Sequence, residues 1–281
     1  MEKEMKIAVL IDAENVSSKY VDIILREASS LGNLIYKRVY GNWTTPLLNS
    51  WKTALLDNAI QPIQQYSNTA GKNSSDSALI IDAMDLLYQK RLDAFCIVSS
   101  DSDFTRLASR LRESEMYVLG MGEQKTPRAF ISACNKFVYL DLLYKQTHSP
   151  APAKKKAKQE PKRQTADQGS EKPTKKQPRK EEMPAPEESA SIETTGEGSD
   201  IIVVESTLRD VAEEFSGDDG WILSARLGAY LSKRLPDFDT RNFGFRKFVP
   251  FIESLGIFEK RDVTDPNRSE ARDVYFRLVE E

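Results

Sequence analysis

Ile7-Ala8-Val9-Leu10-Ile11 runs straight into Asp12, and Ala94-Phe95-Cys96-Ile97-Val98 runs into Ser99-Ser100-Asp101-Ser102-Asp103. Each run is a short, wholly apolar segment, the pattern of a strand buried on both faces, and each ends at acids. In an open α/β sheet, ligands bind beyond the carboxyl ends of the strands, where the strand order reverses, so acids on two such ends can converge. Like charges held that close repel unless a divalent cation lies between them. Oxygen-only ligation points to Mg²⁺ or Mn²⁺.

Strand and helix patterns alternate outward from these two runs. A strand over residues 6–11 precedes a helix from about residue 18, with Val21, Ile24, Leu25, Ala28 and Leu31 on one stripe and Gly32 as its stop. Further strands are expected at 34–40, 62–66, 94–98, 116–120 and 137–140, with helices at 47–58, 75–91, 103–113 and 126–133. This order predicts a doubly wound parallel sheet. No glycine-rich phosphate loop follows the first strand; Asp12-Ala13-Glu14-Asn15 stands there instead.

From Gln146 to Glu214 there is no Phe, Tyr or Trp, and seven of the 13 prolines fall between Pro150 and Pro186. Such a stretch cannot bury enough apolar surface to offset its chain entropy, so a disordered charged linker is expected over 147–202. Its first part, 151–180, carries 11 basic and 3 acidic residues, against 0 and 7 in 181–200. The tract is read either as a solvated spacer or as an arm that tracks phosphates. Beyond it, helical patterns around Leu208 to Phe215, from Ser224 to Pro236 and from Phe245 to Leu255 precede two alternating strands. Three helices and a hairpin predict a small winged helix-turn-helix, giving domains at 1–146 and 203–281 around the linker.

Composition narrows the chemistry. The single histidine, His148, and two cysteines, Cys96 and Cys134, exclude a His-based zinc site, a Ser-His-Asp triad and a disulfide framework. Both thiols are expected in the core. With a net charge of −3, the chain as a whole is not built as a polycation. No segment approaches the roughly 18 consecutive apolar residues of a membrane span, and a cytoplasmic protein is expected.

Any catalysis therefore runs on carboxylates. Asp12, Asp101 and Asp103 lie at two strand ends, and Asp76 lies in the first turn of a long helix, on the stripe of Leu79, Ile80 and Ala83. Favourable interaction with a helix dipole explains an acid in that turn but not its facing the sheet. Asp82 and Asp85, off the stripe, are expected to be solvated, and a helix cap at Ser102 or Asp103 would account for only one of the two later acids. A site of one or two such cations suits phosphodiester hydrolysis. Asn15 and Ser100 can orient water or a phosphate without adding charge. Glu14 is either a fifth acid or an exposed residue.

Three ordered motifs carry a family resemblance: Val9-Leu10-Ile11-Asp12-Ala13-Glu14-Asn15, then Gly71-Lys72-Asn73-Ser74-Ser75-Asp76, then Ser99-Ser100-Asp101-Ser102-Asp103-Phe104. Over about residues 5–145 the chain resembles the NYN domain, a branch of the PIN-like nuclease superfamily. Through Asp237-Phe238-Asp239, Asn242-Phe243-Gly244-Phe245, Lys247 and Leu255-Gly256, residues 203–280 resemble an OST-HTH (LOTUS) domain, a pairing familiar from bacterial proteins. The resemblance implies a Mg²⁺-dependent ribonuclease fold with Asp12, Asp76, Asp101 and Asp103 as its acidic set, and an RNA-binding winged helix.

Structured or single-stranded RNA is the expected partner, and the reading admits a homodimer. Candidate phosphate contacts are Lys72, Arg106 and Lys37 or Arg38 near the acids, and Arg241, Arg246 and Lys247 at the third helix of the winged module. Phe238, Phe243, Phe245 and Phe248 are expected in the core of that module rather than as stacking platforms. A flexible linker would hold the second module near the first at high effective concentration. The competing readings are a non-catalytic RNA-binding adaptor that keeps the acids for a structural metal, DNA in place of RNA, a haloacid-dehalogenase phosphatase and a Toprim nuclease. The phosphatase pattern needs its acid pair after the first strand, where only Asp12 stands; Toprim is closer, with Glu14 after an early strand.

Overall fold

A computed structural model describes residues 4–66, 74–148, 200–264 and 272–279. Lys72 and nearly all of the expected linker lie outside the described residues. The N-terminal half forms a six-stranded, all-parallel sheet in the order β3-β2-β1-β4-β5-β6: β1 (Met5–Asp12), β2 (Gly32–Gly41), β3 (Gln61–Gln64), β4 (Ala94–Val98), β5 (Tyr117–Gly122) and β6 (Lys136–Tyr139). The order reverses between β1 and β4, the two strands whose apolar runs end at acids. Those runs are the two central strands, and every residue from Ile7 to Asp12 and from Ala94 to Val98 is buried.

Helices cover both faces, as a parallel sheet requires. Against one face pack α1 (Val21–Ser29), α2 (Trp51–Asp57) and α6 (Leu140–His148), through Ile24, Trp51, Leu55 and Leu143. Against the other pack α3 (Ser74–Tyr88), α4 (Thr105–Glu113) and α5 (Arg128–Ala133), through Leu79, Ala83, Leu107 and Phe130. Cys96 and Cys134 are both buried free thiols in these cores.

The C-terminal half is built from α7 (Ile201–Phe215), α8 (Ser224–Arg234), α9 (Phe248–Leu255) and an antiparallel sheet in the order β7-β9-β8, with β7 at Ile222–Leu223, β8 at Phe258–Thr264 and β9 at Arg272–Leu278. Pro250 sits in the first turn of α9, where its missing N–H has no helical partner to lose. Phe238 is buried, and Phe243, Phe245 and Phe248 pack against the same core. Among the described residues no helix is long and apolar enough to cross a membrane.

The two halves touch directly rather than only through a tether. Pro236 places its carbonyl on the free edge of β6, accepting the Phe137 N–H at 2.8 Å. Next to it Asp237, 1 % exposed, accepts from Arg128 Nη1 at 2.7 Å and from the Tyr139 hydroxyl at 2.8 Å. Four residues on, the Arg241 guanidinium grips both oxygens of Glu27 on α1 at 2.7 and 2.8 Å. An edge strand that would otherwise invite pairing with another chain is covered in this way.

Candidate active site

Asp12 is the last residue of β1 and is 1 % exposed. Its carboxylate accepts the backbone N–H groups of Glu14 at 3.0 Å and Asn15 at 3.3 Å, Asn15 Nδ2 at 2.7 Å and Ser99 Oγ at 2.8 Å. Burial still outweighs these four donors and pushes its pKa up. Ser99, which the sequence did not single out, joins the two central strands: its Oγ also accepts the Asp101 N–H at 3.1 Å.

Asp101 caps the turn that leads into α4, its Oδ1 taking the Asp103 N–H at 2.9 Å, so the cap falls one or two residues earlier than Ser102 or Asp103. Asp76 stands in the first turn of α3 and is 7 % exposed. Asp76, Asp101 and Asp103 each present one carboxylate oxygen, and these oxygens all lie within 4.8 Å of one another. Burial first, and then the negative charges of Asp12, Asp101, Asp103 and Glu14, push the Asp76 carboxyl up to about 7. Three of the four expected acids thus form one group. Asp12 stands outside that group, held by its own donors, but close enough for its charge to act on Asp76.

The remaining candidates divide. Ser100 Oγ accepts the Glu123 N–H at 2.9 Å, tying the exits of β4 and β5 together, and Asn15 is spent on Asp12. Arg106 is exposed on α4, and Arg246 and Lys247 are exposed just before α9. Arg241, only partly exposed, is not a free cation as a phosphate contact would be: besides Glu27 it binds Asp239, and these two carboxylates hold it firmly protonated. Arg38 is likewise engaged, by Asp82, which also accepts from the Tyr40 hydroxyl. Asp82 is therefore not a solvated surface acid, because β2 places a cation and a hydroxyl beneath α3. A cavity of about 630 Å³ opens past the end of β1, with Glu14, Asn15, Asn42, Thr45, Ser50 and Lys125 among its walls and none of Asp12, Asp76, Asp101 or Asp103.

The family model of the NYN domain matches residues 6–141, and that of the OST-HTH/LOTUS domain matches residues 202–268. The chain joins an NYN domain to an OST-HTH/LOTUS domain. The NYN part is a PIN-like α/β fold, and the pairing indicates a nuclease-type module combined with RNA binding. No curated protein matches the chain. Among solved structures, the crystal structure of a protein of unknown function from Vibrio parahaemolyticus RIMD 2210633 is similar over 50 % of this chain and 94 % of its own, at 18 % identity and a TM-score of 0.42.

Proposed function

We propose that the chain is a divalent-metal-dependent endoribonuclease whose OST-HTH/LOTUS domain binds the same RNA. The observation that carries this is the convergence of the Asp76, Asp101 and Asp103 oxygens at the reversal of strand order in an NYN domain. The donor set fits a hard cation: only carboxylate oxygens contribute, and burial, then the neighbouring negative charges, hold the Asp76 carboxyl up at about 7. Asp76, Asp101 and Asp103 would hold Mg²⁺ or Mn²⁺, with Asp12 adding charge from behind. Such an ion supplies Lewis-acid polarisation of a phosphate and acidifies an attacking water.

The chain's own contribution is positioning. Ser99 and Asn15 fix Asp12, the cap fixes Asp101, and Ser100 anchors the loop that carries both later acids. The cavity past the end of β1 offers polar groups of Glu14, Asn15, Asn42 and Lys125 to a nucleotide flanking the scissile bond. A cytoplasmic location goes with this reading, in line with two buried free thiols.

The test pairs Asp101→Asn and Asp103→Asn with wild type, on RNA and DNA, in Mg²⁺, Mn²⁺ and EDTA. Metal-dependent RNA cleavage that falls by at least about 100-fold in both variants while RNA affinity is retained supports the proposal. Wild type that binds RNA and cuts none supports the non-catalytic adaptor, and faster cutting of DNA replaces the substrate.

A further inference from the structure

The contacts between the two domains also shape a second cleft, of about 650 Å³, away from the acids. From the NYN side it is lined by Arg112, Tyr117 and Asn135, and from the OST-HTH/LOTUS side by Ser232, Lys233 and Arg234. Tyr117 opens β5 and Asn135 precedes β6, so the cleft lies at the amino ends of the parallel strands, and the acids lie at their carboxyl ends. No carboxylate lines it among the described residues. Arg112 Nη1 is held by two neutral carbonyls, Ser132 O at 3.2 Å and Ala133 O at 3.4 Å, which fix its direction without cancelling its charge. Lys233 lies over the Tyr230 ring at 5.5 Å, and Arg234 is shared with Glu214.

We infer that this cleft is an anchoring site for the phosphodiester backbone of RNA, remote from the cutting site and made only when the two domains are docked. The inference rests on RNA being the substrate. Arg112 and Lys233, cations in a concave site with no carboxylate in its described lining, attract a polyanion by releasing its counterions, whatever its sequence, and Glu214 offsets the third cation, Arg234. Neither domain alone supplies the full set. Docking through Asp237 and Arg241 brings Arg112 opposite Lys233, which gives these ion pairs a role beyond stability. An RNA touching both sites must run roughly 20 Å along the flank of the sheet, the length of a six-residue strand. A stacked strand of about four nucleotides, rising about 3.4 Å each, cannot reach from one to the other.

The experiment measures binding of two labelled single-stranded RNAs, about 20 and about 4 nucleotides long, in EDTA across a salt series, by fluorescence anisotropy. Arg112→Gln combined with Lys233→Gln is expected to weaken both RNAs, the long one about tenfold, and to flatten the slope of log K against log salt by about 1.4 for each, since about four nucleotides can lie in the cleft by themselves. Lys233→Gln alone, on an exposed side chain, is expected to give about half that change in slope and guards against misfolding of the double variant. Unchanged affinity and slope for the long RNA in the folded variants overturn the inference. Failure of the nuclease reading shows separately, as absent metal-dependent cleavage of either RNA by wild type, because the binding arm contains no metal.

Discussion

Ser99 shows how much of the candidate site depends on one hydroxyl. It donates to Asp12 and accepts from the Asp101 backbone, so the two acid-bearing strands share a fixed point. Ser99→Ala is expected to cost about 1 to 2 kcal/mol in denaturant unfolding, since Asp12 keeps three other donors, and to lower cleavage more than RNA affinity. Asp76 sets the pH response. Its carboxyl titrates at about 7 when folded and near 3.8 when unfolded, so between those values the folded chain carries the extra proton. Stability of the metal-free protein therefore falls as pH rises from about 4 to about 7, by at most about 4 kcal/mol, and levels off above. Thermal melts in EDTA across this range should show the decline, and Asp76→Asn should remove most of it. Adding Mg²⁺ should stabilise wild type more at pH 8 than at pH 6, because the ion must displace that proton. The acids themselves were legible in the sequence because a charge ending an apolar run has few structural explanations. Ser99 was not, because a hydroxyl's role depends on which strand lies beside it.

Elements with a full apolar run or stripe matched expectation closely. Strand β4 falls where the run Ala94 to Val98 put it, and Phe104, Leu107, Ala108 and Leu111 line the buried side of α4 and the turn before it. Elements defined by their partners did not. Helix α6 continues the chain to His148, past the expected boundary at 146, through residues whose short apolar stripe fades into polar sequence. Strand β7 has two residues and exists only by pairing with β9. Gly122, at the end of β5, shows the same dependence on neighbours: a Cβ there would lie 2.6 Å from Thr126 Oγ1 and 2.7 Å from the Ser99 carbonyl. Gly122→Ala must push β5 away from the loop carrying Ser99 and Asp101. An expected loss of about 1 to 3 kcal/mol in stability, with cleavage falling further than global stability explains, is measurable by urea unfolding and initial rates.

At the scale of the molecule, the sequence suggested two modules on a tether, because nothing in the composition of either half announces a mutual contact. The residues that make it include Asp237, Arg128, Arg241 and Glu27, of which Arg241 alone was a candidate, as a phosphate contact. Asp237 with Arg128 and Arg241 with Glu27 form two ion pairs, and their meaning lies in a fold-level juxtaposition of residues more than 100 positions apart. Asp237 is almost wholly buried while Arg128 is half exposed, so the pair with Arg128 is screened and the Tyr139 hydroxyl carries a substantial share of its satisfaction. Asp237→Ala leaves that hydroxyl without its carboxylate and opens a gap beside the β6 edge. Arg241→Ala leaves Glu27, 9 % exposed, without its bidentate partner. Each change removes contacts between domains while the three-helix core of the second domain, around Leu208, Leu227 and Phe251, keeps its packing. In calorimetry, wild type should therefore unfold in one transition and the Asp237→Ala, Arg241→Ala double variant in two, the domains melting separately. A single transition merely shifted to lower temperature would mean that the domains remain coupled without these pairs, through the backbone contacts of Pro236 with Phe137 and of Arg241 with Gln146.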